Sequence, residues 1–236
     1  MNLNIEIYAD GADIEQMKNV FESEKIDGFT TNPSLMKKAG IKDYKQFADS
    51  VIKEFPNVPI SFEVFGDDFT VMKKEAEVLS SLGENVFVKI PIMNSKGVSS
   101  VPLIKELSAK GLKLNITALF TVEQVKSVVE VLSPSTKNII SVFAGRIADT
   151  GIDPTDIMIK SKEICQTKDG IKLLWASPRE VLNIVQADEV GADIITCTPE
   201  LISKLDTIGK DLEQFSLETV QMFLKDSQNL GFSIID

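Results

Sequence analysis

Lys89 lies inside Asn85-Val86-Phe87-Val88-Lys89-Ile90-Pro91, a run that is otherwise almost entirely apolar. Such a run reads as a strand buried on both faces and closed by Pro91. A lysine rarely enters such surroundings without a partner or a task, because burying an ammonium is costly or forces its pKa down. Held partly neutral, its amine attacks carbonyl carbon, which is the requirement of Schiff-base chemistry. The plainer reading, an ion-paired lysine near a strand end, stays open at this point. Lys113 and Lys172 also fall in apolar runs, but near the N-terminal ends of those runs.

Schiff-base chemistry needs two further things. One is an acid/base to dehydrate the carbinolamine, the other a base for the step that makes or breaks the carbon bond. Asp10 and Glu63 are the carboxylates that close apolar runs. Thr31 with Asn32, Asn115 with Thr117, Ser141 with Arg146, and Ser177 with Arg179 close or follow others. Asn32, Asn115 and Ser141 can hydrogen-bond hydroxyls without adding charge, which suits a polyol. Arg146 and Arg179 are the cations expected for a phosphate, and Ser177, ahead of Pro178, reads as a helix start with free N–H groups. Each has a plainer use as well. Asp10 could cap the next helix, Asn32-Pro33 is an ordinary turn and helix start, and Thr117 could satisfy a backbone carbonyl.

Composition removes several other chemistries. The chain has 236 residues and no histidine, so His-based triads and His-ligated metal sites are excluded. No metal and no cofactor is expected. With 35 acidic against 25 basic residues the net charge is −10, which argues against a broad nucleic-acid or anionic-membrane surface. An anionic substrate must then be met by a local basic pocket. Cys165 and Cys197 are too few for a disulfide scaffold and suit a reducing compartment. No stretch approaches membrane-spanning length and no leader-like segment opens the chain, so a soluble cytoplasmic protein is expected.

The elements that must hold these residues alternate regularly. Strand candidates are Ile5–Asp10, Gly28–Thr31, Pro59–Val64, Val86–Pro91, Leu112–Thr117, Asn138–Phe143, Ile171–Trp175 and Asp193–Cys197. Helical periods follow near Asp13–Glu22, Asp43–Glu54, Phe69–Leu82, Val98–Ala109, Thr121–Leu132, Asp153–Cys165, Pro178–Val190 and Pro199–Leu205. Start signals include Asp13 ahead of Gln16, Thr121 ahead of Gln124, and Thr198 ahead of Pro199. Eight β–α units predict a parallel sheet closed into a (β/α)8 TIM barrel, in the α/β class. An open doubly wound sheet has less support, because no glycine-rich phosphate loop follows any strand. No linker or repeat divides the chain, so residues 1–236 are read as one barrel domain with residues 216–236 as a C-terminal helical extension. That extra helix is expected to start at Ser216, with Ser216 and Thr219 as cap candidates and Leu217, Val220, Phe223 and Leu224 forming one apolar stripe. It could fold back on its own barrel, the safer expectation from the pattern alone, or reach a neighbouring subunit.

In a barrel the C-terminal ends of strands build the site, and that is where the polar residues cluster. Together with these ends, four segments resemble one family. They are Thr30-Thr31-Asn32-Pro33-Ser34-Leu35, Val88-Lys89-Ile90-Pro91, Asn115-Ile116-Thr117-Ala118-Leu119-Phe120 and Ser141-Val142-Phe143-Ala144-Gly145-Arg146-Ile147. The chain resembles the short transaldolases and fructose-6-phosphate aldolases, over nearly its whole length. The resemblance implies a Schiff-base lysine on the fourth strand, matching Lys89, with catalytic Asp10, Glu63 and Thr117. It implies that Asp10 takes the proton from the hydroxyl whose carbon is cleaved, and that Glu63 and Thr117 hold the proton-shuttling water. Asn32, Asn115 and Ser141 would hold the dihydroxyacetone part, and Arg146, Ser177 and Arg179 the phosphate, with Thr31 and Phe143 beside the substrate.

Two positions separate the members of this family. Its aldolases carry Gln where Glu63 stands and Tyr where Phe143 stands. Glu63 and Phe143 thus resemble transaldolases, which pass a dihydroxyacetone unit from fructose 6-phosphate or sedoheptulose 7-phosphate to an aldose phosphate. A phenol near the enamine could donate the proton that releases free dihydroxyacetone, and Phe143 cannot. There are departures: Gly11-Ala12 follows Asp10 where a hydroxyl residue is common, and Pro178 separates Ser177 from Arg179 where an aromatic or aliphatic residue is usual. The second leaves open another acidic sugar, such as a sulfosugar, alongside the aldolase alternative and an idle sugar-phosphate-binding barrel. Intact Asp10, Glu63, Lys89 and Thr117 argue against the idle barrel. The expected partners are sugar phosphates and, from the resemblance, further copies of the chain in a ring, as a pentamer or a pair of pentamers.

Overall fold

The computed structural model describes residues 3–232 and 234–235, so the outermost ends of the expected domain lie outside the described residues. Among the described residues eight parallel strands close into a barrel in chain order. They are β1 (Glu6–Asp10), β2 (Gly28–Thr30), β3 (Ile60–Glu63), β4 (Val86–Pro91), β5 (Leu114–Leu119), β6 (Asn138–Val142), β7 (Ile171–Trp175) and β8 (Ile194–Cys197). Pairing of β8 with β1, Ile194 opposite Glu6 through Cys197 opposite Ala9, completes the closure. The helices are α1 (Ile14–Glu22), α2 (Pro33–Lys38), α3 (Tyr44–Glu54), α4 (Phe69–Ser80), α5 (Val101–Ala109), α6 (Val122–Val131), α7 (Ala144–Ala148), α8 (Thr155–Cys165), α9 (Leu182–Glu189), α10 (Pro199–Ile202) and α11 (Leu212–Asn229). The expected (β/α)8 TIM barrel is the fold. Among the described residues no helix is long and apolar enough to cross a membrane.

Alternation along each strand sorts the core into two compartments. Phe29, Phe62, Val88, Ile90, Ile116, Val142, Leu173 and Trp175 belong to the large cluster between sheet and helices. Tyr8, Phe87, Ile139, Leu174 and Ile194 form a separate cluster inside the barrel, with Ala176 and Phe143 against it. This inner layer is the floor on which the polar ends of the strands stand. Gly28 makes room for it, since a Cβ there would lie 2.6 Å from Cζ of the Tyr8 ring.

The structure moves several expected boundaries. Strand β5 runs to Leu119 because Ala118 adopts φ 60°, and the pairing with β6 jumps between Ile116 and Leu119. The bulge carries the chain past Thr117, where the expected strand ends. Helices α2 and α7 are short turns not separated in the sequence reading. Asn32 caps α2 by accepting the Leu35 N–H at 3.0 Å. Ser177 does not start a helix: it sits at φ 59°, and α9 begins only at Leu182. Pro178 follows without nucleating a helical turn there.

The C-terminal helix also differs from expectation. It begins at Leu212, not Ser216, because Asp211 caps it by accepting the Gln214 N–H at 2.9 Å. The fold-back expectation is overturned as well: Leu217, Val220, Phe223 and Leu224 are 50–62% exposed, and no residue of α11 is buried. The stripe is amphipathic as read, but this barrel does not cover it.

Gly28→Ala is expected to destabilise the protein by about 1–3 kcal/mol through overpacking against the Tyr8 ring. Urea unfolding measures this, and adding Tyr8→Leu should recover part of the loss.

Candidate active site

The C-terminal ends of the strands surround a cavity of about 450 Å³. Lys89 reaches it from β4 and is 7% exposed. Its ammonium lies 3.3 Å from the Glu63 carboxylate and donates to the Thr31 carbonyl at 3.2 Å. Glu63 is where the sheet requires it, since β3 and β4 pair Glu63 opposite Lys89. Tyr44 anchors that strand end by donating its hydroxyl to the Glu63 carbonyl at 2.7 Å. The lysine is thus ion-paired, as the plainer reading has it, and it also opens onto a cavity.

Asp10 faces the pair from β1. Its Oδ1 accepts the Thr30 hydroxyl at 2.8 Å, and the Asn32 amide lies 3.5 Å from Oδ2. Burial raises the Asp10 pKa, Lys89 and the Thr30 bond pull it down, Glu63 pushes it up, and the net direction is upward. Asn32 serves twice, capping α2 through its oxygen and turning its amide to Asp10.

The remaining expected residues divide. Thr117, Ser141, Phe143, Arg146 and Ser177 line the cavity. Thr117 Oγ1 is buried with no hydrogen-bond partner among the described residues, so it does not satisfy a backbone carbonyl. Asn115 lies beneath the cavity, with both amide atoms taken: it donates to Ser61 at 2.9 Å and accepts from Ser141 at 2.6 Å. That chain ties β3, β5 and β6 together, and it commits the single Ser141 hydrogen to Asn115. Thr31 turns away from the barrel axis, its hydroxyl donating to the Ser61 carbonyl at 3.3 Å. Only its backbone oxygen reaches Lys89. Arg179 is half exposed and outside the cavity lining, with its guanidinium bidentate on Asp149: Nε to Oδ1 at 3.0 Å, and a second bond to Oδ2. Hydrogen bonding from Arg179 is the main cause of the lowered Asp149 pKa, and Arg146 adds to it.

The rim is shaped by backbone constraint. The Arg146 guanidinium sits 5.4 Å over the Phe143 ring, whose other neighbour is Phe120 at 5.8 Å. Behind them Gly145 admits no side chain, since a Cβ would lie 1.5 Å from the Ser177 carbonyl oxygen. Ala118 and Ser177, both non-glycine residues at positive φ, line the cavity. Strain of this kind concentrates where surrounding structure dictates a side chain's aim.

The sequence reading missed Thr30, Ser61 and Thr196. Thr30 and Thr196 line the cavity, with Oγ1 atoms 2.5 Å apart, and Ser61 joins the Asn115 chain. Strand parity was the available signal: Thr30 shares a face with Gly28 and Asn32, and Thr31 is on the other. A larger cavity, about 790 Å³, opens at the opposite mouth of the barrel around Tyr8, Lys113 and Lys172. Two of its lysines are engaged locally, Lys172 on Glu6 and Lys113 on the Glu84 carbonyl. Among the described residues no group of carboxylates and thiols could hold a metal ion.

Known proteins are similar in sequence to this chain over most of its length. The family model for transaldolase/fructose-6-phosphate aldolase matches residues 7–234. A probable transaldolase of Nitrosopumilus maritimus (strain SCM1) is 32% identical over 226 residues, covering 94% of each chain. A probable transaldolase of Chelativorans sp. (strain BNC1) is 30% identical over 231 residues, covering 96% of this chain and all of the relative. Among solved structures, dihydrodipicolinate synthase from Rhodopseudomonas palustris superposes with a TM-score of 0.62 at 12% identity, over 94% of this chain and 79% of that one, a likeness of fold alone.

Asp10→Asn is expected to stabilise the fold at neutral pH. A carboxyl whose pKa rises on folding opposes folding once ionised, so its stabilising contribution is present at low pH and is lost as pH rises through the folded value. Urea midpoints of the variant should exceed those of the wild type at pH 7, and the two should converge at pH values below the ordinary carboxylate range.

Proposed function

Since this chain belongs to the transaldolase/fructose-6-phosphate aldolase family, we propose that it is a transaldolase working through a Schiff base on Lys89. The observation that carries this is the arrangement of Lys89 within 3.3 Å of Glu63 at one cavity that Asp10 also lines. The lysine amine, after passing a proton to Glu63, adds to the ketose carbonyl carbon. Loss of water from the carbinolamine, with Glu63 and Thr117 managing its protons, gives the imine. Asp10 then takes the proton of the hydroxyl borne by the far carbon of the bond to be broken, the carbon that becomes the aldehyde. The carbon–carbon bond cleaves, an aldose phosphate leaves, and its electron pair stays with Lys89 as an enamine of dihydroxyacetone. Addition of the enamine to a second aldose phosphate, with Asp10 returning the proton, rebuilds a ketose, and hydrolysis frees it.

Phe143 supports transfer over release. It presents no hydroxyl to protonate the enamine, so the carbon nucleophile persists until an aldehyde arrives. Ser141, whose hydrogen is engaged on Asn115, offers lone pairs to a substrate hydroxyl. Arg146 is the cation suited to the acidic end of the substrate. The pairing of Arg179 with Asp149 favours a second reading of that end, in which a head group of lower charge than phosphate, such as a sulfonate, is accepted. The buried free thiols Cys165 and Cys197 support a reducing, cytoplasmic setting.

We also propose that the chain is a homo-oligomer in which α11 packs on a neighbouring copy, as a pentamer or a pair of pentamers. The uncovered stripe supports this, because burying such side chains is worth roughly 1.5–3 kcal/mol each before ordering costs.

Borohydride reduction with fructose 6-phosphate should add a three-carbon adduct to Lys89, and Lys89→Ala should abolish it. An adduct on another lysine rejects the assignment. With erythrose 4-phosphate present, sedoheptulose 7-phosphate should form much faster than dihydroxyacetone forms without it, and Phe143→Tyr should move that ratio towards release. Wild-type enzyme that mainly releases dihydroxyacetone would be an aldolase. For assembly, a chain ending at Lys210 should fall to a smaller mass in light scattering, and an unchanged mass would show that α11 serves no interface.

A further inference from the structure

We infer that Thr30 and Thr196 are positioning residues for Asp10, a hydroxyl chain running from β8 through β2 to β1 that leaves one carboxylate oxygen to exchange protons with substrate. The inference rests on the reading of Asp10 as the base for carbon–carbon cleavage. Its warrant is a count of hydrogens. Thr30 has one hydroxyl hydrogen, and ionised Asp10 has none to give, so the 2.8 Å bond between Thr30 Oγ1 and Asp10 Oδ1 consumes the Thr30 hydrogen. The 2.5 Å contact between Thr30 Oγ1 and Thr196 Oγ1 must then be donated by Thr196. The direction of the whole chain is therefore fixed, with every hydrogen pointing towards Asp10.

Two consequences follow at the cavity. Oδ1 of Asp10 carries the 2.8 Å bond from Thr30, and Oδ2 only the long 3.5 Å contact from the Asn32 amide. Oδ2 is thus the less committed oxygen and the one to take the substrate proton. Thr196, which lines the cavity, has given its hydrogen away and turns only lone pairs inward. Thr196 also acts at a distance. Accepting its hydrogen bond polarises the Thr30 hydroxyl and strengthens the bond to Oδ1, and that bond favours the ionised carboxylate. The charges facing Asp10 are Lys89 on β4 and Glu63 on β3, while the Cys197 thiol on β8, pushed up to about 12 by burial and by Asp10, stays neutral. None of these is altered by changing the hydroxyl pair.

The test separates imine formation from cleavage in Thr196→Val, Thr30→Val and the two Thr→Ser variants. Burst trapping of the ketose phosphate on Lys89 by borohydride should stay within about twofold of wild type in all four. Aldehyde release should fall about tenfold in the valine variants, the worth of roughly one hydrogen bond to a charged group. The low-pH limb of kcat/KM should move to higher pH, and serine should restore both. Carbon-13 NMR titration of the Asp10 carboxyl without substrate provides a second readout that does not depend on the reaction. Valine should shift it upward, and serine should leave it near wild type. Cleavage and titration unchanged in Thr196→Val would overturn the inference, and so would trapping that falls in step with cleavage. Absence of any adduct on wild-type Lys89 would reject the transaldolase reading instead, with the NMR titration still deciding whether the hydroxyl pair sets Asp10.

Discussion

The constraint on which the site depends is the charge of Lys89 inside the barrel. An ammonium removed from water must be met within hydrogen-bond reach or be neutralised. Here the carboxylate comes from the adjacent strand in direct register, Glu63 opposite Lys89. Parallel pairing thus does the positioning that a flexible loop could not. A second carboxylate two strands further round, Asp10, is then held in the same space as a cation and an anion. Burial keeps its proton affinity high, and the Thr30 bond and Lys89 keep it from rising further. The balance leaves Asp10 with a raised proton affinity, in a chain that has no histidine.

The apolar floor matters as much as the polar groups above it. Tyr8, Phe87, Ile139, Leu174 and Ile194 fill the barrel axis below the site and separate the two mouths. Water reaches Lys89 and its partners from one side only, and their mutual interactions are stronger for it. The bonds among Ser61, Asn115 and Ser141 sit at the boundary between the layers and lock three strand ends to one another. Asn115 contributes by holding Ser141, and not by offering free atoms to the cavity.

Much of this was legible because β–α alternation and buried runs are properties of short windows. The β4 and β7 boundaries, Val86–Pro91 and Ile171–Trp175, agree to the residue, and Lys89 declared itself by being charged among apolar neighbours. What escaped depends on conformation that composition does not encode. Thr30 and Thr31 are the same residue type, and only the parity set by Gly28 tells which hydroxyl enters the barrel. Ala118 carries no turn signal, yet its positive φ extends β5. Ser177-Pro178 looks like a helix start, but the Ser177 backbone is held left-handed against Gly145. Arg179 reads as a free cation until the fold brings Asp149, thirty positions away, beneath it.

The approach of Gly145 to the Ser177 carbonyl has a consequence for how this protein can diverge. The short helix α7 after β6, which carries Arg146, and the loop after β7, which leads to Arg179, meet without an intervening side chain. Neither can shift without displacing the other. Evolution at this end of the cavity is therefore epistatic: a substitution that re-aims one segment is deleterious alone and tolerated only with a compensating change in the other. Divergence at this end of the cavity should proceed by paired steps, whereas exposed positions of α11 are free to drift singly wherever no partner covers them.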